Sequence, residues 1–85
     1  MPPIVVYTKA TCPYCDAAKA LLRKKSAPFE EIRVDGDRAA QAAMAVKAGG
    51  HWTVPQIFIG ERHVGGCDDI HALDAAGKLD PLLAG

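Results

Sequence analysis

Two cysteines three positions apart, Cys12 and Cys15 within "TCPYC" (residues 11–15), are the residues whose type and spacing point most directly to chemistry. Such a pair can hold a metal ion, cross-link the fold or exchange electrons with another thiol or disulfide. A structural zinc site needs two more ligands, and the candidates are Cys67, His51, His63 and His71, with no second paired motif among them. A staple between Cys12 and Cys15 closes so small a loop that it constrains the unfolded chain very little. Electron exchange is the use that the residues favour, with metal binding as the alternative.

The elements that must position the pair follow from the flanking residues. "IVVYT" (residues 4–8) is a β-branched run that reads as a buried strand. A helix is expected over residues 13–25, with Pro13 in its first turn, Ala18, Leu21 and Leu22 on one face, and Arg23, Lys24 and Lys25 at its end. A second strand is expected over residues 29–34, parallel to the first through a right-handed crossover. Asp37 reads as the cap of a helix over 38–48 that Gly49 and Gly50 stop. Residues 56–59 and 62–64, separated by Gly60 and Glu61, read as a hairpin. Asp68 or Asp69 is expected to cap a third helix ending near Gly77, and a last turn over 80–83 is weakly signalled. The order β-α-β-α-β-β-α predicts an α/β fold: one mixed four-stranded sheet flanked by helices, in a single domain spanning residues 1–85.

Placed between a strand and a helix, the two sulfurs are unequal. With Pro13 as the first helical residue, Cys12 is the N-cap, and its side chain faces the amides of Tyr14 and Cys15. Those amides favour the charged, nucleophilic form of Cys12. Hydrogen bonds to a charged group contribute about 1.5–3 kcal/mol each, against about 0.3–1 kcal/mol from the helix dipole, so the amides dominate. Lys9 adds a screened Coulombic contribution. Cys15 lies one helical turn on, more inward and without those amides. The asymmetry assigns Cys12 as the attacking thiol and Cys15 as the resolving one.

The bulk properties agree with a small soluble domain. An 85-residue chain buries only a little over ~60% of its unfolded surface. Its 49% hydrophobic and 24% charged residues are an ordinary globular balance. Ten basic and ten acidic residues cancel, so neither nucleic acid nor a membrane surface is an expected partner. The amino terminus lacks a basic signal region, and no stretch reaches the roughly 20 apolar residues of a membrane span, so a cytoplasmic location is expected.

Three separated segments make the reading specific: "YTKATCPYC" (residues 7–15), "TVPQIFI" (53–59) and "GGCDD" (65–69). Together, over residues 4–83, they resemble the dithiol, C-P-Y-C-type glutaredoxins, in particular the short bacterial glutaredoxin 3 type. That resemblance implies the thioredoxin fold and a glutathione-dependent thiol–disulfide oxidoreductase. Cys12 alone would reduce glutathione mixed disulfides, and Cys12 with Cys15, through a redox disulfide between them, would reduce protein disulfides. It further implies a cis bond before Pro55, with the Val54 main chain pairing with glutathione as an added strand beside Thr53. Gly66, Cys67 and Asp68 would cradle the γ-glutamyl end, the helix amides taking its carboxylate and Asp68 its ammonium. Lys9 and Tyr14 would flank the tripeptide. At His51 and Trp52 the chain departs from many relatives, which carry Arg, Lys or a small polar residue there.

The implied partners are glutathione and glutathionylated or disulfide-containing proteins, with ribonucleotide reductase a family-level possibility and a monomer as the expected state. No metal and no tightly bound cofactor is expected; glutathione is the co-substrate. The alternatives are a thioredoxin-like disulfide reductase and a metal- or iron–sulfur-binding module, against which Pro13 in the motif weighs.

Overall fold

The computed structural model describes residues 2–85. The β-branched run forms β1 (Ile4–Thr8), and α1 (Pro13–Lys24) follows with Pro13 opening it. The apolar spacing of α1 buries Cys15, Ala18, Leu21 and Leu22, while Arg23 and Lys24 occupy its last turn. Ser26 turns the chain at φ +55 into β2 (Glu30–Arg33). This strand is shorter than the expected 29–34. It pairs in parallel from Val5↔Glu30 to Thr8↔Arg33, and β1 ends there.

Asp37 caps α2 (Arg38–Lys47), its Oδ1 accepting the Ala40 N–H at 3.0 Å, as the sequence predicts. Beyond it Gly49 and Gly50 adopt φ +70 and +97, a left-handed stop that costs glycine little. The hairpin is β3 (Gln56–Ile59) and β4 (Arg62–Gly65), followed by α3 (Cys67–Ala75) and α4 (Leu79–Ala84).

Two expectations need correction here. The cap of α3 is Gly66, in extended conformation, and neither Asp68 nor Asp69. Asp69 instead reaches back from the third helical position, where its Oδ2 accepts the Gly66 N–H at 2.9 Å. The final segment, expected as a turn over 80–83, is a helix over Leu79–Ala84. Leu79 and Leu83 dock into the core, and Lys25 Nζ holds Asp74 of α3 at 2.7 Å and Asp80 of α4 at 3.0 Å.

The sheet order is β2-β1-β3-β4, with β1/β2 parallel and the other pairs antiparallel. Strand alternation sends Ile4 and Val6 of β1 and Ile57 and Ile59 of β3 to one face. There they meet Ala18, Leu21 and Leu22 of α1, Ile70 of α3, and the α4 leucines. The opposite face presents Val5, Tyr7, Ile32 and Phe58 to Met44 and Ala40 of α2 and to Val34. A mixed sheet covered on both faces is what the element order predicts, and it is the thioredoxin fold that the resemblance implies. Its consequence for chemistry is that β1 delivers the cysteine motif to one end of the sheet. No helix among the described residues is long and apolar enough to cross a membrane.

Candidate active site

The segment between β1 and α1 makes an abrupt turn. Thr11 is held at φ +55, and Cys12 follows in extended conformation as the N-cap of α1. The Cys15 N–H donates to Cys12 Sγ at 3.2 Å. Of the two amides expected at this sulfur, the structure supplies that of Cys15. An N-cap side chain reaches one of the second and third helical amides in a given rotamer, and here it takes the third.

The two sulfurs differ as their positions require. Cys12 is half-buried, whereas Cys15 is 0% exposed, packed under α1. Burial, reinforced by the Cys12 sulfur, pushes the Cys15 thiol up to about 12. The Lys9 main-chain N–H and the Lys19 ammonium pull it the other way. Lys9 thus acts on Cys15 through its backbone, a donor that motif reasoning did not give this sulfur.

At the head of α1 opens a cleft of about 370 Å³. Tyr14, 66% exposed, forms its edge at the head of α1. Thr53, Val54 and Pro55 form a second wall, and the Val54-Pro55 bond is cis. Gly65, Gly66, Cys67 and Asp68 form the third, where β4 passes into α3. The Cys67 thiol is pushed up by burial, then by the Asp68 carboxylate and by Cys12, which places these three groups in one electrostatic neighbourhood. His71 Nδ1 lies 2.8 Å from the Cys67 carbonyl oxygen and 3.4 Å from its sulfur. The structure therefore gathers Tyr14, Thr53, Val54, Pro55, Gly66, Cys67 and Asp68 around one cleft, while Lys9, Cys12 and Cys15 lie outside its lining.

Sequence reasoning missed two groups. Gln56, 4% exposed, lines the cleft floor, its Oε1 2.6 Å from His63 Nε2 and its Nε2 donating to Thr53 Oγ1 at 3.3 Å. With His63 donating, the amide is oriented and the Thr53 hydroxyl is left to donate elsewhere. His63 also stacks on Phe58, with ring centroids 4.9 Å apart. The alternation that puts Gln56 and Phe58 on one face was visible in the sequence, but their pairing with His63 depends on the irregular register near Ile57 and Phe58. The second group is an ionic cluster beneath α1. Glu31 Oε2 accepts from the Thr8 hydroxyl at 2.6 Å and from Lys19 Nζ at 3.0 Å, and these bonds hold its carboxyl below the usual range. Nothing in the local sequence marks these three residues as partners.

His51 lines the cleft with its ring centroid 6.4 Å from that of His63. Trp52 is 52% exposed, and its carbonyl accepts from Gln41 Nε2 at 2.8 Å. No group of three or more His, Cys, Asp or Glu side chains converges among the described residues.

Comparison with known proteins gives this geometry its context. The glutaredoxin family model matches residues 4–64. A glutaredoxin of Pseudomonas aeruginosa is 61% identical over 84 residues, covering 99% of each chain. Glutaredoxin 3 of Escherichia coli K12 is 56% identical over 80 residues, covering 94% of this chain and 95% of its own. Among solved structures, a buckwheat glutaredoxin–glutathione complex superimposes with a TM-score of 0.88 at 38% identity, covering 98% of this chain and 77% of the other. With two unequal thiols at a helix head beside a cleft, and relatives matched along nearly its whole length, the chain belongs to the glutaredoxin family of glutathione-dependent thiol–disulfide oxidoreductases, in its dithiol C-P-Y-C form.

Proposed function

We propose that Cys12 is the attacking thiol, that Cys15 resolves, and that the cleft at the head of α1 binds glutathione. The observation that carries the role assignment is the inequality of the sulfurs. Cys12 accepts a helix amide at 3.2 Å and is half-buried, whereas Cys15 is fully buried with its thiol pushed up to about 12. A thiolate is the nucleophile in disulfide exchange, so the sulfur held by an amide donor attacks first.

With a glutathionylated protein, Cys12 as thiolate attacks the glutathione sulfur. The protein leaves as a thiolate and takes up a proton, while Cys12 carries glutathione as a mixed disulfide. A second glutathione thiolate then attacks that sulfur, releasing glutathione disulfide and restoring Cys12. With a protein disulfide, Cys12 forms a mixed disulfide with the substrate. Cys15 loses its proton and attacks Cys12 Sγ, the substrate leaves as a thiolate, and a Cys12–Cys15 disulfide remains. Two glutathione molecules reduce it.

For glutathione, the support is the cleft's polar ends and the buckwheat relative solved with that ligand. The Val54 main chain offers strand-like pairing to the tripeptide. The free amides at the head of α3 suit its γ-glutamyl carboxylate, and Asp68 suits the ammonium on the same carbon. Thr53 and Pro55 shape the wall, Tyr14 flanks the ligand, and Lys9 attracts the glycyl carboxylate. Glutathione serves as co-substrate, with no tightly bound cofactor required. Partners are proteins bearing glutathione or a disulfide, and the protein acts as a cytoplasmic monomer.

The test is a glutathione-coupled assay on a glutathione mixed disulfide and on a protein disulfide. Cys12→Ser removes both activities, whereas Cys15→Ser keeps the first and loses the second. Activity of Cys12→Ser on the mixed disulfide overturns the assignment.

A further inference from the structure

Beneath the active-site helix lies a charged cluster that the exchange mechanism above does not use. Lys19 stands four residues after Cys15 on α1, so both side chains project from one helix face. Its side chain is only 16% exposed. The ammonium is held 3.0 Å from Glu31 Oε2, which also accepts the Thr8 hydroxyl at 2.6 Å. Thr8 is fully buried at the end of β1, one residue before Lys9, whose backbone N–H favours ionisation of Cys15. The β1/β2 register sets Glu31 opposite Val6, which brings its carboxylate to the α1 side of the sheet. Asp16, 75% exposed, lies 3.8 Å from the same ammonium.

Holding α1 against the sheet does not require a charge at this position. A partly buried ion pair gains little over a well-packed apolar side chain, because desolvation offsets most of the attraction. What an ammonium adds is its field, which reaches further where water is scarce. The sulfur positioned to feel it is Cys15. We infer that Lys19, pinned by Glu31 and Thr8 beneath α1, is a positioning residue for the resolving step, favouring the thiolate of Cys15 when it attacks the mixed disulfide at Cys12.

The inference rests on the proposed roles of the two cysteines and explains a difficulty in them. In the reduced protein the Cys12 sulfur and burial both oppose ionisation of Cys15. Once Cys12 is bonded to a substrate sulfur, it no longer opposes that ionisation, and burial is the remaining obstacle. The groups left facing Cys15 are the Lys9 N–H and the Lys19 ammonium. Glu31 and Asp16 offset part of the Lys19 field, while Glu31 fixes where the ammonium sits. Cys15 releases its proton to solvent, its sulfur bonds to Cys12 Sγ, and the substrate sulfur departs with the electron pair of the broken bond.

A stopped-flow experiment separates this step from the first. Reduced protein is mixed with a symmetrical aryl disulfide whose released thiolate absorbs light. The first thiolate is released by Cys12 attack and the second by Cys15 resolution. Lys19→Met keeps the apolar stem and removes the charge. The expected result is a second phase slowed about three- to tenfold relative to the first near neutral pH, the size expected from losing one partly screened charge near a thiol. The deficit should close as pH rises and Cys15 ionises unaided, and Lys19→Arg should restore the phase. The first phase in the same trace reports that the site is folded.

A second phase unaltered by Lys19→Met, or both phases slowed alike at every pH, overturns the inference. Persistence of the second phase in Cys15→Ser instead overturns the resolving role itself, and the inference with it.

Discussion

The burial of Cys15 ties the redox site to global stability at alkaline pH. Its thiol is 0% exposed and is raised from 9.0 to about 12 in the folded protein. Between those values the unfolded chain has lost the Cys15 proton and the native chain has kept it. A raised folded value contributes stability that is fully present below the unfolded value and is lost as pH climbs toward the folded one. At about 1.4 kcal/mol for each pH unit crossed, the loss is roughly 2 kcal/mol by pH 10.5 and roughly 4 kcal/mol once both states ionise. For a small domain with a total stability of about 5–15 kcal/mol, that loss is large.

Cys15→Ser removes the titration, because a serine hydroxyl does not ionise in this range. Urea unfolding midpoints of the reduced wild type and of Cys15→Ser, measured from pH 7 to 10.5 with a phosphine reductant, test the linkage. Other alkaline groups, including the Lys25 amine held up by Asp74 and Asp80, are common to both proteins and cancel in the difference. The stability advantage of wild type over the variant should shrink by roughly 2 kcal/mol across that interval. Two curves that stay parallel would refute the claim that burial keeps Cys15 neutral.

Two further outcomes follow from other parts of the structure. Gly65 sits at φ +116, and an added Cβ there would collide with Asp69 Oδ2 and lie 2.8 Å from Asp69 Cγ. Gly65→Ala should thus displace the carboxylate that accepts the Gly66 N–H and lower stability by about 2–4 kcal/mol, read as a fall in the melting temperature. On the exposed surface, the Arg33 guanidinium grips Asp35 through two 2.8 Å hydrogen bonds and holds its carboxyl at about 2. The pair's contribution is full above about 3.8 and is lost progressively as pH falls toward the folded value. Carbon-detected NMR titration should show Asp35 ionised at pH 3 and returned toward the ordinary carboxylate range in Arg33→Gln.

Much of the site was legible because its determinants are local. A β-branched run, a proline after Cys12 and an apolar spacing of three and four residues place two thiols at a strand-to-helix junction. That placement alone makes one sulfur outward and the other inward. The bounds of α1 and α2 and the Asp37 cap follow from the same short-range rules, since propensity, capping and periodicity act within a few residues. The cap of α3 lies two residues before Asp68 and three before Asp69, the two expected caps. Gly66 is extended before the helix, and Asp69 satisfies its amide from inside the first turn, an arrangement that two adjacent aspartates do not distinguish.

What tertiary structure alone decided are the meetings between elements far apart in the chain. Lys19, Glu31 and Thr8 come from α1, β2 and β1, and only the parallel register brings Glu31 under the helix. Gln56 and His63 meet through the irregular pairing of β3 with β4, and α4 becomes a helix because the core receives Leu79 and Leu83. The sequence by itself determined that the two cysteines are unequal, since N-cap and third-helical positions are properties of a few neighbouring residues. How unequal they are was decided by packing: the depth of Cys15, the donors that act on it and the cleft at the head of α1 all depend on which surfaces the fold brings together.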